Sequence, residues 1–84
     1  EVESIDDAVE ALNSNVDLLL LDNMHVEQIK EICLLKSKSK TKIEISGGIN
    51  LSNIHQYADL KIDYIAIGAL IHSAKFFDFS LEIN

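Results

Sequence analysis

Small residues with few functional groups of their own follow two apolar runs of the sequence, as Ser46-Gly47-Gly48 and as Gly68-Ala69. The chain has only three glycines, and because glycine costs conformational entropy, a pair of them needs a backbone reason. Where a strand leads into a helix, unpaired N–H groups and the helix dipole attract anions, and glycine lets an anion approach closely. The two stretches predict a phosphate-binding site, with two ordinary tight turns as the alternative.

Acidic residues are expected near the same place. Glu1 and Glu3 share one side of a predicted strand, and Asp22 ends the next apolar run. Carboxylates beside a phosphate site are suited to holding Mg²⁺ or the hydroxyls of a sugar phosphate. The alternative is that Asp22 caps the following helix and the glutamates are solvated. His72, one turn into a helix expected after Gly68, is a further candidate for phosphate contact, or else a surface histidine.

Helices and strands alternate along the segments that must position these residues. Apolar residues at helical spacing predict helices that begin at Ser4, at His25 and at Asn50, and a short fourth helix at 70–75. Apolar runs between them predict parallel strands at 1–3, 16–21, 43–45 and 63–67. Strict alternation at 77–83 predicts a final amphipathic strand. The fold class is therefore α/β, and spacing alone leaves half of an eight-stranded barrel and a small open sheet as alternatives.

Composition restricts the class of protein. The 84 residues predict at most one domain, and the absence of an initial methionine leads us to expect a partial one, 1–84, of a longer protein. A net charge of −7 without any arginine argues against nucleic-acid binding. No apolar run reaches the ~18 residues of a membrane span. The single cysteine, Cys33, excludes an internal disulfide, fits a cytoplasmic setting and is expected in the core.

Two further groups of residues receive no functional role. His25 and His55 have no partners at metal-ligand spacing, so no zinc site is predicted. The lysine-rich connector 36–42 leads into a strand and so lies at the opposite edge from the candidate site, where we expect a solvated loop.

Five segments, in order, resemble the C-terminal portion of quinolinate phosphoribosyltransferase, also called carboxylating nicotinate-nucleotide pyrophosphorylase. They are EVES, LLLLDNM, EISGGINLSNI, DYIAIGALIHS and FDFSLEI, and the resemblance covers essentially the whole chain. It implies the C-terminal half of an incomplete TIM-like α/β barrel, with four parallel βα units. It also implies a Mg²⁺-dependent, oligomeric glycosyltransferase of NAD biosynthesis. Such an enzyme transfers phosphoribose from phosphoribosyl pyrophosphate to quinolinate, giving nicotinate mononucleotide, CO₂ and pyrophosphate.

The resemblance also implies roles for individual residues. Glu1 and Asp22 would hold the ribose hydroxyls and, directly or indirectly, Mg²⁺. His72 would face the pyrophosphate. The phosphate of the nucleotide would be bound by Ser46, Gly47, Gly48, Gly68 and Ala69. Ile71, in place of the usual threonine, and His25, in place of a small capping residue, depart from the family pattern.

The acceptor site is expected to lie mostly outside this chain. Quinolinate is a dicarboxylate that calls for several arginines or lysines, and the chain has no arginine. Three alternatives therefore stay open. The first is a related barrel enzyme with another acceptor, whether phosphoribosyl-handling or molybdenum-associated. The second is a non-catalytic phosphate-binding half-barrel, and the third is an α/β domain without a site.

Overall fold

A computed structural model describes residues 2–36, 39–68 and 70–74 of the chain. Its strands form one four-stranded sheet in the order β1-β2-β3-β4. In chain order the elements are α1 (Ile5–Asn13), β1 (Leu18–Asp22), α2 (Val26–Leu35), β2 (Lys42–Ser46), a 3₁₀ helix (Ile54–Tyr57), β3 (Tyr64–Ile67) and β4 (Leu70–Ser73). β1, β2 and β3 are parallel, and β4 runs antiparallel to β3. Val2 adds a single parallel bridge to Leu21, on the other side of β1.

Local side-chain chemistry fixes where the two α-helices begin. Ser4 Oγ accepts a hydrogen bond from the backbone N–H of Asp7 at 3.2 Å, the N-cap geometry expected for that spacing. At the start of α2, Gln28 Oε1 accepts from the backbone N–H of His25 at 3.1 Å. That bond satisfies the backbone N–H of His25, the residue at the N-cap position. The predicted starts of both helices are confirmed.

The core lies on one face of the sheet. Both parallel crossovers are expected to be right-handed, which brings their connections to the same face. Alternate strand residues are buried there against residues of α1, α2 and the 3₁₀ helix. The buried residues of the strands and helices are Leu19, Leu21, Ile43, Ile45, Ile65, Ala8, Ile29, Ile32, Ile54 and Tyr57.

The intervening strand residues point to the other face, here called the open face. Leu20, Glu44, Tyr64 and Ala66 on this face are half-buried, and Leu18 is 43% exposed. No helix of the described residues contributes to a core on this side. Asp22 and Ser46 follow buried Leu21 and Ile45, so they lie at the open-face side of the sheet.

Polar side chains fasten the amino edge of the sheet. Thr41, only 2% exposed, donates from Oγ1 to the carbonyl oxygen of Val16 at 2.6 Å and accepts from Ser39 Oγ at 2.9 Å. Lys36 Nζ donates to the carbonyl oxygen of Thr41 at 2.7 Å and lies 4.0 Å from Asp63 Oδ2. That carboxylate in turn accepts from the backbone N–H of Ile43 at 2.9 Å. The expectation of a solvated loop is therefore wrong for Lys36 and Thr41, which anchor the connector.

The expected fourth helix is wrong, because Leu70–Ser73 forms β4. Gly68 has a φ of 63° and follows β3 directly, a conformation that suits the first central position of a tight hairpin turn. Ile71, His72 and Ser73 are also weaker helix formers than Leu or Ala. Within the described residues the sheet thus has three parallel strands and one antiparallel strand, which does not support four parallel βα units. The strand predicted at 77–83 lies outside the described residues.

The expected third helix is much shorter than its sequence pattern suggests. Asn50 Oδ1 accepts from the backbone N–H groups of Ser52 and Asn53 at 2.8 and 3.1 Å, as a capping residue does. These residues form a turn, and only Ile54–Tyr57 is helical. Asn and Ser side chains that bond nearby backbone groups compete with the helix in this way. No helix among the described residues is long and apolar enough to cross a membrane.

Candidate functional site

Asp22 and Ser46 meet at the carboxyl edge of the sheet. They are register partners at the ends of β1 and β2, and Ser46 Oγ donates to Asp22 Oδ1 at 3.1 Å. Both residues are half-buried. One carboxylate oxygen is thus held by the neighbouring strand, which fixes the orientation of the acidic group toward any ligand at this edge.

The glycine pair follows directly, in left-handed backbone. Gly47 has a φ of 87° and Gly48 a φ of 71°, values at which any other residue except asparagine or aspartate is strained. Both glycines are exposed. Within the described part of the chain, their backbone N–H groups donate to no other residue. These N–H groups are therefore available to an anion.

Two asparagines, Asn23 and Asn53, donate hydrogen bonds to this loop. Asn53 Nδ2 donates to the carbonyl oxygen of Gly48 at 2.6 Å, and the backbone N–H of Asn23 donates to the carbonyl oxygen of Ser46 at 3.0 Å. Neither residue was assigned from the sequence. For Asn23, the available signal was its position directly after a strand, since asparagine is the residue with a side chain that most readily adopts positive φ.

Gly68 lies at the same edge, because β2 and β3 are parallel neighbours. It does not open a helix, however, since it leads into β4. The second helix start that the sequence predicted at the phosphate site is therefore wrong. Gly68 nevertheless lies at the predicted edge of the sheet. Glu1 and Ala69 lie outside the described residues.

His72 is not brought to Asp22 and Ser46. It pairs with Ile65 in the β3–β4 ladder, and directly opposed residues of an antiparallel pair share a face of the sheet. Ile65 is buried on the core face, so His72 lies on that face, opposite to Asp22 and Ser46. Its predicted placement in a helix is wrong, because it lies in β4.

Comparison with known proteins agrees with this architecture. A family model described as "Quinolinate phosphoribosyl transferase, C-terminal domain" matches residues 1–82. The chain belongs to this family. Residues of the quinolinate phosphoribosyl transferase domain thus extend over nearly the whole sequence, including every candidate site residue.

Several curated relatives of this domain are similar over almost all of the chain. One is the probable carboxylating nicotinate-nucleotide pyrophosphorylase of Methanocaldococcus jannaschii, 40% identical over 99% of this chain and 31% of the relative. The probable carboxylating nicotinate-nucleotide pyrophosphorylase of Methanothermobacter thermautotrophicus is 41% identical over 100% of this chain and 32% of the relative. The human carboxylating nicotinate-nucleotide pyrophosphorylase is 38% identical over 99% of this chain and 29% of the human protein. The chain spans about a third of the length of these relatives.

Solved structures of the same kind share the fold. Crystal structures of a NadC deletion mutant in two crystal forms superpose with TM-scores of 0.72 and 0.73, at 40% and 43% identity. They cover 81% and 88% of this chain, and 24% and 26% of the NadC chains. The mixed sheet and its helices are therefore shared with the NadC structures.

Proposed function

We propose that the protein transfers phosphoribose from phosphoribosyl pyrophosphate to quinolinate, with loss of CO₂ and pyrophosphate, to give nicotinate mononucleotide. The chain's relatives, at 38 to 41% identity, carry the name carboxylating nicotinate-nucleotide pyrophosphorylase. The observation that carries the proposal for this chain is the hydrogen bond between Ser46 and Asp22, directly before a glycine pair with available N–H groups. It joins a carboxylate and an anion-binding loop at one sheet edge.

In this proposal the Ser46–Gly48 loop binds the 5-phosphate of the phosphoribose. The N–H groups of Gly47 and Gly48 donate to the phosphate oxygens, and Gly68 lies at the same edge of the sheet. The predicted phosphate contact of Ala69 stays a prediction. Charge-assisted hydrogen bonds of this kind are about twice as strong as neutral ones. The predicted contact of His72 with pyrophosphate stays a prediction, and its position on the core face does not support it.

Asp22, together with Glu1, accepts hydrogen bonds from the ribose hydroxyls. As pyrophosphate leaves, positive charge develops on the ribose, and fixed carboxylates nearby stabilise that charge more than they stabilise the ground state. The Ser46 hydroxyl holds Asp22 in its orientation, so this stabilisation needs little reorganisation.

The proposal includes Mg²⁺, with Asp22 and Glu1 as its protein ligands. No group of three or more His, Cys, Asp and Glu side chains that could hold a metal lies within the described residues. Mg²⁺ commonly binds through one or two carboxylates and completes its shell with waters and substrate phosphate oxygens. Asp22 with Glu1 would be sufficient, and Mg²⁺ would neutralise the departing pyrophosphate.

The remainder of the enzyme supplies the acceptor site. The chain contributes no arginine, and two neighbouring carboxylates of quinolinate need several cationic groups. The sequential order β1-β2-β3 of parallel strands favours part of an α/β barrel over a doubly wound sheet. The proposed full enzyme is a homo-oligomer in the cytoplasm. Its other segments complete the barrel and the quinolinate site.

Titration calorimetry of the intact native protein with ribose 5-phosphate tests the proposal. We expect Mg²⁺ to strengthen binding, and Asp22→Ala to abolish that gain. We also expect Asp22→Ala to lower nicotinate mononucleotide formation about 10²-fold, the magnitude found when one electrostatic stabiliser of a transition state is removed. Asp17→Ala is the matched control, because Asp17 is exposed and directly precedes β1, at the amino edge of the sheet.

Two outcomes would contradict the proposal. Ribose 5-phosphate binding without any dependence on Mg²⁺ or Asp22, in a protein that forms no product, would favour a non-catalytic phosphate-binding module. Phosphoribosyl transfer to a different acceptor, with quinolinate inert, would favour a related barrel enzyme.

A further inference from the structure

Asn23 connects the two strand ends that carry the candidate site. Its backbone N–H donates to the carbonyl oxygen of Ser46 at 3.0 Å, which extends the pairing of β1 and β2 by one residue. Its φ of 54° lies in the left-handed region, where asparagine is several-fold enriched among residues with a side chain. The residue therefore ends β1 with its backbone beside Ser46 and Gly47.

The side chain of Asn23 occupies the space beside Gly47. A Cβ atom added at Gly47 would lie 2.8 Å from Asn23 Cγ and 2.9 Å from its backbone nitrogen. A Cβ atom added at Gly48 would have nothing within 4 Å. The two glycines are thus constrained differently: both need positive φ, but only Gly47 must also lack a side chain to accommodate Asn23.

We propose that Asn23 is a positioning residue for phosphate recognition, which holds the Gly47 backbone so that the N–H groups of the glycine pair face the ligand. This inference rests on the proposed function of the loop. Asn23 acts through Gly47, by packing against it, and not as a contact of the phosphate itself.

The physical reason is the freedom of two adjacent glycines. An exposed glycine pair samples many conformations, and ordering it on binding costs affinity. A side chain packed against Gly47 removes part of that freedom before the ligand arrives. Because the phosphate is bound similarly in the substrate and in the transition state, losing this order raises KM and leaves kcat nearly unchanged.

Asn23→Ala and Asn23→Gly in the intact native protein test the inference. Glycine adopts a φ of 54° without strain, so Asn23→Gly removes the carboxamide while keeping the backbone. We expect both variants to weaken ribose 5-phosphate binding about tenfold, the equivalent of one or two hydrogen bonds. KM for phosphoribosyl pyrophosphate rises by the same factor, while kcat stays within about twofold and the affinity for quinolinate does not change.

Asn15→Ala and Asn15→Gly are the matched controls. Asn15 has nearly the same backbone, with a φ of 56°, but lies before β1, at the opposite edge of the sheet. These variants should leave both KM values as in the wild type, whatever they cost in stability.

Each outcome is decisive for one of the two proposals. Asn23→Gly with wild-type affinity and KM would overturn the role of the side chain, and so would a fall in kcat at constant KM. If Asn23→Ala does not fold, the glycine variant alone decides. A wild-type protein that binds ribose 5-phosphate in neither the presence nor the absence of Mg²⁺ would overturn the proposed function, and the role of Asn23 with it.

Discussion

At the scale of single residues, burial sets the chemistry of the one cysteine. Cys33 lies on α2 beside a cavity of about 650 Å³ that also involves Leu60, Lys61 and Ile62. The thiol is partly buried, packs against the core and lies 4.0 Å from the carbonyl oxygen of Lys61. Burial disfavours the thiolate and raises the pKa of Cys33 above its ordinary value of 9.0. Cys33 therefore lies at the margin of the core and not within it as expected, and its raised pKa disfavours the nucleophilic thiolate.

We expect the folded protein to resist alkylation. At pH 8.5, iodoacetamide should react with Cys33 several-fold more slowly in the folded than in the urea-unfolded chain, because only the thiolate reacts. In the same way, the unfolded state loses this proton first as pH rises, so the free energy of unfolding falls above pH 9. Cys33→Ala should remove that part of the pH dependence. Equal alkylation rates in both states would contradict the raised pKa.

At the scale of elements, the sequence predicted the parts whose local and tertiary preferences agree. Ser4 and the α2 pattern marked both α-helices, and the apolar runs marked β1, β2 and β3, because buried parallel strands are nearly continuous apolar runs. The segment after Asn50 was predicted to be helical from its apolar spacing, but the Asn and Ser side chains bond the backbone locally and leave a turn. Spacing alone does not report this competition.

The hairpin after Gly68 shows why the site was only partly predictable. Two residues between apolar runs are compatible with a helix start and with a hairpin, and the choice between them decides the face on which His72 lies. The edge shared by Asp22 and Ser46 follows from parallel strand order alone, so that part of the site could be predicted. The backbone of Asn23 and its contact with Gly47 depend on φ values that no spacing reveals.

The turn conformation of Gly68 gives a prediction for the β3–β4 hairpin. Because its φ is 63°, we expect Gly68→Ala to destabilise the protein by about 1 kcal/mol in urea unfolding, the cost of a side chain in left-handed backbone. Gly68→Asn should cost less than half as much, since asparagine tolerates this region. Amide exchange at Leu70 should quicken in the alanine variant and much less in the asparagine variant. Equal stability of the two variants would contradict a turn that requires positive φ.

At the scale of the whole molecule, the sheet has a core face and an open face. The open face carries Leu18 and Leu20 beside Glu44 and Tyr64, with Lys42 Nζ 6.0 Å from the centre of the Tyr64 ring. Within residues 2–36, 39–68 and 70–74, no helix packs a core against these apolar side chains, and uncovered apolar surface favours association. The strand predicted at 77–83 would also need a sheet to pair with.

We therefore expect the 84-residue chain, purified alone, to self-associate or to be marginally stable. Light scattering after size-exclusion chromatography should report a mass above that of a monomer. Leu20→Lys on the open face should lower that mass, whereas Leu34→Lys, at a site 72% exposed on α2, should not. A monodisperse monomer with a high melting temperature would contradict this expectation.

The anchors formed by Lys36, Thr41 and Asp63 stand at the end of the sheet farthest from Asp22 and the glycine pair. They secure the connectors there independently of whatever occupies the opposite end. Substitutions at positions 22, 23 and 46–48 should therefore alter the carboxyl edge of the sheet while Lys36, Thr41 and Asp63 continue to hold the connectors at the amino edge.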